Sequence, residues 1–562
     1  MQYSKLVGLY QQAESTTKTL EKTAIIAEFI KKVNAKDLEE VILLLQGRAF
    51  PEYDARELGL GQQLAIKAIS SASGTSIDKV KNLWKKTGDL GDTSSQLIGN
   101  KQQATLFSRS LSTSKVLANL QKLAELEGAG TVDHKVSLLK ELLASSNGAE
   151  AKYIIRTCLG DLRVGIGEGI MRDSISQAFD VSKAAVQRAY DTTTDFGEVA
   201  QLAKEGEDRL ATATITTGKP IKVMLYQKVN DIASAFDRVG KPAAFEYKYD
   251  GFHIQIHKRA GKIQVFTRRQ EDVTKQFPDI VNMVKKQVTA TNFILDAEAI
   301  GSDPKTGKWL PFQHISQRIR RKHDIEQMAK KIPVIVRVFD AMYLDGKDLL
   351  LAPFKDRRKA IENIIKQSQQ FSPAEHILTS SEEDAETFYA EALAKGNEGI
   401  MAKNLEAEYK PGSRVGYGVK VKPTMEPLDL VIVGAEWGSG KRAGWLSSFI
   451  LACKYGEQFL EIGKMGTGIK EKEDLGTSFK ELTKLLKPLI TSESGKVVRV
   501  KPEIIIEVAY EEIQKSPTYG SGFALRFPRL LRLRTADKKL TDIASLRQVK
   551  TLSENQRHNA NP

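Results

Sequence analysis

Lys248 lies in Glu246-Tyr247-Lys248-Tyr249-Asp250-Gly251, where a single amine can serve as a nucleophile. The alternation around it predicts two β-strands over 243–247 and 252–257, with Asp250-Gly251 as the turn joining them in a hairpin. Lys248 then stands at a strand end, with its side chain projecting into a cleft. A free lysine has a pKa of about 10.4 and is protonated at neutral pH. It becomes a nucleophile only when desolvation or neighbouring cations favour the neutral amine. Taken alone, the stretch reads more readily as a surface lysine beside a tight turn.

Other side chains downstream can serve such a lysine. The apolar-led strand NFILDAEAI sets Asp296 and Glu298 on one face, either solvated or as hard-oxygen metal ligands. Phe339, expected at a strand end in IPVIVRVFDAMYLDG, is a core aromatic or a base-stacking platform. KGNEGIMAKN supplies Glu398 and Lys403, and EYKPGSRVGYGVKVKP supplies Arg414, Lys420 and Lys422. Lys420 and Lys422 share one face of a short strand, an arrangement that suits a triphosphate. The basic run HISQRIRRKH (314–323) is a solvated helix or a phosphate track.

These groups need a scaffold, and 562 residues allow two to four domains. Hydrophobic residues at 41% and charged residues at 27% describe an ordinary globular chain. Its net charge of +14 points to nucleic acid or another polyanion as partner. Two distant cysteines, Cys158 and Cys453, exclude a disulfide framework and a four-cysteine zinc site. With no signal-peptide core and no long apolar run, a reducing, cytoplasmic and nucleoid-associated location is expected, with no membrane insertion.

Residues 1–212 carry helical spacing throughout, 213–424 mix strands with helices, and 425–562 are β-rich. In the first part, GDLRVGIGEGIM precedes a helical run, so Arg163 flanks either a phosphate seat or a helix joint. Gln103, Leu106 and Phe107 form either a helix edge or a peptide plug for a partner's groove. The last part suits a small Greek-key barrel of the OB type with one helical insert. WGSGKRAG, with Lys441 and Arg442, departs from a P-loop because arginine follows its lysine. ALRFPRLLRLRTADKK is densely cationic, and the tail SENQRHNANP reads as disordered.

The ordered set EYKYDG, TRRQEDVT, LDAEAI, VFDAMYLDG, EGIMAK and KVK, closing with LRFPRLLRLRTADK, resembles the motifs of ATP-dependent DNA ligases, most nearly the archaeal type. The resemblance spans nearly the whole chain. It implies an all-α DNA-binding domain (1–212), an α/β adenylation domain (213–424) and an OB-fold domain (425–562). It further implies a Lys248-AMP intermediate, ATP with Mg²⁺ (Mn²⁺ as substitute), nicked duplex DNA as substrate, and a monomer acting in replication, repair and recombination. Residue by residue, Glu246 matches the adenine contact and Phe339 the stacking aromatic. Arg268 and Glu298 match positions around ribose and metal, and Glu398 the second metal carboxylate. Arg414, Lys420 and Lys422 match phosphate contacts, and Asp537 with Lys538 the pair that the OB domain brings to ATP. Gln103, Leu106 and Phe107 fall where archaeal ligases carry a sliding-clamp motif. Arg163, Lys441, Arg442, Arg526 and Arg529 are the expected DNA contacts.

Three positions depart from the family. His253 stands where arginine is usual, and Gly418 where an aromatic precedes Lys420 by two residues. The closing Arg534-Thr-Ala-Asp-Lys is one residue longer than usual. Rival readings are a capping-enzyme or RNA-ligase nucleotidyltransferase and a catalytically silent DNA-binding scaffold. The first leaves the long helical region unexplained; the second leaves Lys248, Glu298, Glu398 and Lys420 unexplained.

Overall fold

The computed structural model describes the chain except residues 55, 100–110, 127–129, 304, 308, 311, 320–323, 424, 439–441, 443, 472–475 and 559–562. Gln103, Leu106, Phe107 and Lys441 therefore lie outside the described residues. Two compact units form. One comprises Met1–Leu225, Gly251–Ala374 and Leu405–Val415; the other comprises Tyr226–Asp250, Glu375–Asn404 and Gly416–Pro562.

In the first unit, thirteen helical segments run from Tyr3–Ser15 to Glu207–Leu210 among the described residues. Their starts are encoded locally. Asn147 and Glu150 form a reciprocal capping box at Gly148–Cys158. Ser182 and Asp195 cap Lys183–Thr193 and Phe196–Glu205, each cap contributing about 1 kcal/mol. The inward faces share a core in which Tyr3, Leu6, Ile26, Leu142, Ile154 and Val199 are fully buried.

The same unit holds a seven-stranded sheet ordered Lys262–Thr267, Phe252–Arg259, Phe293–Ser302, Val334–Leu344 and Lys347–Asp348, with two short strands added at its sides. One face buries Phe252, Ile254, Ile256, Leu295, Ala297 and Val338 with Ile280, Val284 and Ile361. Alternation sends His253, Gln255, Asp296 and Glu298 to the other face, with His253 opposite Glu298 and Gln255 opposite Asp296. Within the basic run, Arg318 is neither solvated nor on a phosphate track. It is 1% exposed, forks onto Asp279 at 2.7 and 2.8 Å, and lies over Phe277.

In the second unit a five-stranded sheet runs Leu225–Val229, Arg414–Val421, Gly399–Asn404, Ala243–Lys248 and His376–Thr379. The strands on either side of Lys248 form where alternation puts them, yet they make no hairpin. Ala243–Lys248 pairs with Gly399–Asn404 and His376–Thr379, whereas Phe252–Arg259 pairs with Lys262–Thr267 and Phe293–Ser302. Their apolar side chains join different cores. Phe245 meets Phe236 at 5.1 Å and Tyr247 stacks on Phe388 at 4.5 Å, while Phe252 meets Phe277 at 5.0 Å.

The second unit also carries a barrel. Leu428–Trp437 pairs with Leu446–Tyr455 and Ile505–Ala509, Leu446–Tyr455 with Gln458–Met465, and Ile505–Ala509 with Arg529–Leu533. A bridge between Thr467 and Arg529 closes this ring of five strands, the OB architecture. The helical insert is Phe479–Leu486, started by a Ser478/Glu481 capping box. The tail differs from expectation: helix Leu546–His558 continues through the first six residues of the stretch read as disordered. Ser553 is buried there, and Gln556 accepts a hydrogen bond from the Ile513 amide at 3.0 Å. Tertiary contacts supply what the polar composition hid.

Candidate active site

Alternation along Ala243–Lys248 sends Phe245 and Tyr247 towards helices, which leaves Glu246 and Lys248 on the opposite face. Register then gathers a row across the sheet. Gly399 faces Lys248, Met401 faces Glu246 and Lys420, and Lys403 faces Gly418. One face thus collects Glu246, Lys248, Met401, Lys403 and Lys420.

Glu398 joins this row from the turn before its strand, its amide donating to the Lys248 carbonyl at 2.8 Å. Its carboxylate is 2.8 Å from Lys248 Nζ and also pairs with Lys422. Burial alone would raise the Glu398 pKa, but the Lys248 and Lys422 charges outweigh burial and hold it at about 2. Burial, then the charges of Lys422 and Lys248, lower the Lys420 pKa below its ordinary value. Glu511 lies 3.8 Å from Lys422. Glu246 is matched by a residue whose motif alone gave it no role: Lys403 pairs with it at 2.6 Å, the two side chains 5% and 2% exposed. The signal was available, since Lys403 closes EGIMAK on a strand.

In the first unit, His253 and Asp296 form a second polar cluster. His253 Nε2 is 3.2 Å from Asp296, whose other oxygen accepts the Tyr409 hydroxyl at 2.6 Å. Burial would lower the His253 pKa; the Asp296 charge and hydrogen bond, with Glu298 adding, raise it instead. Asp296, held by His253 and Tyr409, is buried, and Glu298 on the same strand is half-buried. Tyr409 lies in the EYKPGSRVGYGVKVKP stretch, but nothing in that stretch gave it a role. Phe339 sits mid-strand rather than at a strand end. Asp296 pairs with Asp340 and Ala297 with Val338, so Phe339 is the extra residue of a β-bulge, a device that re-aims a side chain. Its ring lies 5.7 Å from His253. Behind it, buried Asp340 receives a two-pronged Arg357 at 2.7 and 3.1 Å. Arg268 and Arg414 are exposed, the latter at the start of its strand.

Gly251 has a steric reason: an added Cβ would sit 2.4 Å from the Ala299 carbonyl oxygen and 2.8 Å from Glu298 Cγ.

The expected DNA contacts are dispersed. Arg163 is half-exposed and pairs with Asp89 and Asp161 at 2.9 and 2.7 Å. The glycine-rich stretch beside it leads into helix Glu168–Phe179, whose N-cap is Gly167. Arg442 pairs with Glu471 at 3.2 Å; Arg526 pairs with Glu512 at 3.2 Å and lies 5.3 Å from the centre of the exposed Phe527 ring, while Arg529 is exposed. In the closing motif Arg534 holds Asp537 at 2.9 Å, and Lys538 lies 3.6 Å from Asp429. Within the longer motif, the Thr535 hydroxyl accepts the Ile505 amide at 3.0 Å. No helix among the described residues is long and apolar enough to cross a membrane.

Comparison with known proteins follows the same partition. Family models match as DNA ligase N terminus over residues 2–176, ATP dependent DNA ligase domain over 223–422 and ATP dependent DNA ligase C terminal region over 442–538. The DNA ligase of Nanoarchaeum equitans is 46% identical over 99% of both chains. That of Thermococcus fumicolans is 43% identical over 98% of both. The solved structure of Pmar-Lig_PreS3 shares the fold, with a TM-score of 0.55 and 15% identity over 94% of this chain and 99% of its own. Over nearly its whole length, the chain belongs to the ATP-dependent DNA ligases, enzymes that use ATP to join DNA strands.

Proposed function

We propose that the chain seals nicks bearing a 5′-phosphate and a 3′-hydroxyl in duplex DNA, through AMP carried on Lys248. The observation that carries this reading is the row of Lys248, Lys420 and Glu246 on one sheet face, with Glu398 and Lys422 at its end. Neutral Lys248 Nζ attacks the α-phosphorus of ATP; a P–N bond forms, the bond from the α-phosphorus to the bridging oxygen breaks, pyrophosphate leaves, and the nitrogen releases a proton to solvent. An oxygen of the DNA 5′-phosphate then takes the adenylyl group, breaking the P–N bond. The 3′-hydroxyl attacks the activated phosphate, loses its proton, and releases AMP. Glu246 reads adenine, Phe339 stacks on it, His253 and Arg268 flank the nucleotide, and Arg414, Lys420 and Lys422 hold phosphates.

Mg²⁺, with Mn²⁺ as substitute, is assigned to Glu298 and Glu398. Such a cation needs one or two carboxylates plus phosphates, not a full protein cage, and Glu398, kept ionised, is a suitable hard donor. When bound, such a cation would supply positive charge that offsets the charge of the triphosphate.

The domains are assigned as 1–212 to DNA, 213–424 to adenylation and 425–562 to the OB domain, with Asp537 and Lys538 acting on the phosphates of ATP. Arg163, Lys441, Arg442, Arg526 and Arg529 contact the duplex backbone, a sequence-independent mode of binding. Gln103, Leu106 and Phe107 dock a sliding clamp, and the ligase works as a monomer in replication, repair and recombination. Two free, buried cysteines suit a reducing compartment.

The test is incubation with α-labelled ATP and Mg²⁺, with nicked duplex added to half the sample, followed by a denaturing gel. Label on the protein that transfers to DNA and yields a sealed strand is expected, and Lys248→Ala abolishes it. Normal sealing by Lys248→Ala overturns the reading.

A further inference from the structure

Gly418 departs from the family's aromatic, and the structure shows what stands in its place. A Cβ built on Gly418 would lie 2.1 Å from Cε1 and 2.3 Å from Cδ1 of Tyr226. No side chain fits at 418 while that ring is present. Tyr226 belongs to strand Leu225–Val229, the neighbour of the Gly418 strand in the sheet, so the ring arrives from the adjacent strand.

The side of the sheet follows from register. A side chain at 418 would point with that of Lys420, two residues on, and with Lys403, its partner across the ladder. The Tyr226 ring therefore covers the face that carries Lys248, Glu246, Lys403 and Lys420. Sequence reasoning could not find it: Tyr226 is separated from Gly418 by almost the whole adenylation region and lies in no motif.

We propose that Tyr226 is the aromatic wall of the nucleotide site, supplied from the edge strand in exchange for a side chain at 418. It acts as a positioning residue for Lys420 and for the Lys403–Glu246 pair. This rests on the reading of Lys420 as a phosphate contact and Glu246 as an adenine contact. Physically, a large flat ring beside two lysines limits their rotamers and keeps water from the buried pair.

The exchange is testable in both directions with full-length protein, measuring KM for ATP and kcat of self-adenylation, with melting temperature as a check on folding. Tyr226→Ala is expected to raise KM about tenfold with a smaller change in kcat, and Tyr226→Phe, which keeps the ring, to recover most of that loss. Gly418→Trp clashes with Tyr226 and is expected to lose adenylation, whereas Tyr226→Ala/Gly418→Trp regains KM to within about threefold of the parent. An unchanged KM in Tyr226→Ala, or a double variant no better than Gly418→Trp, overturns the proposal. Lys420→Ala separates the two layers: normal adenylation there removes the underlying phosphate reading, whatever the Tyr226 variants do.

Discussion

Replacing Lys403 by methionine tests the buried pair beneath the proposed adenine site. The Lys403 and Glu246 side chains are 5% and 2% exposed and 2.6 Å apart. At an effective dielectric of about 20, two charges at that distance attract by roughly 6 kcal/mol. Desolvating each ion takes back several kcal/mol, so the intact pair nets little. Removing only the cation leaves the desolvation of Glu246 without its main offset, a loss of about 3–5 kcal/mol. Neutralising both, in Glu246→Gln/Lys403→Met, removes charge on both sides and is expected to lose only about 1 kcal/mol. Chemical denaturation of the parent, both single variants and the double variant gives the coupling energy directly. The double variant should stay folded yet lose adenylate formation, which separates stability from nucleotide recognition. Lys403→Met within about 1 kcal/mol of the parent, or a double variant as unstable as the single, refutes the electrostatic reasoning.

Arg357→Met leaves Asp340 buried without its guanidinium. Unfolding should become easier by about 3–5 kcal/mol, read by denaturation, with weaker ATP binding because the bulge carrying Phe339 loses its support. Gly251→Ala forces its Cβ against the Ala299 carbonyl and Glu298; a stability loss of about 1–3 kcal/mol and slower adenylation are expected, read by melting and adduct yield. His257 is buried, accepts the Gly218 amide at 2.9 Å, and burial pushes its pKa from 6.5 down to about 3. The unfolded chain binds a proton below pH 6.5 that the fold refuses. Stability is then full above pH 6.5 and falls as pH drops towards 3, by up to about 1.4 kcal/mol per pH unit. His257→Gln should flatten that limb in denaturation measured across pH.

Local chemistry in the sequence determined much of this molecule. Helical spacing and capping residues set the helices of the first 212 residues, and two-residue alternation placed the strands around Lys248, Glu298 and Lys420. The same alternation decided which side chains share a face within one strand, Asp296 with Glu298 and Glu246 with Lys248. Pairing was another matter. Asp250-Gly251 has the composition of a hairpin turn, yet its flanking strands enter different sheets, because Phe245 and Phe252 find different aromatic partners. Arg318 belongs by composition to a cationic surface, but Asp279 and Phe277 enclose it. The tail is polar enough for disorder, but strand Glu512–Lys515 supplies Ile513 for it to bind. Lys403, Tyr409 and Tyr226 gain meaning only from Glu246, Asp296 and Gly418, their partners across the fold. Periodicity is a property of neighbours along the chain and survives in the sequence. The partner of a buried charge or the filler of an empty glycine is set by packing between distant segments, which the tertiary structure alone decides.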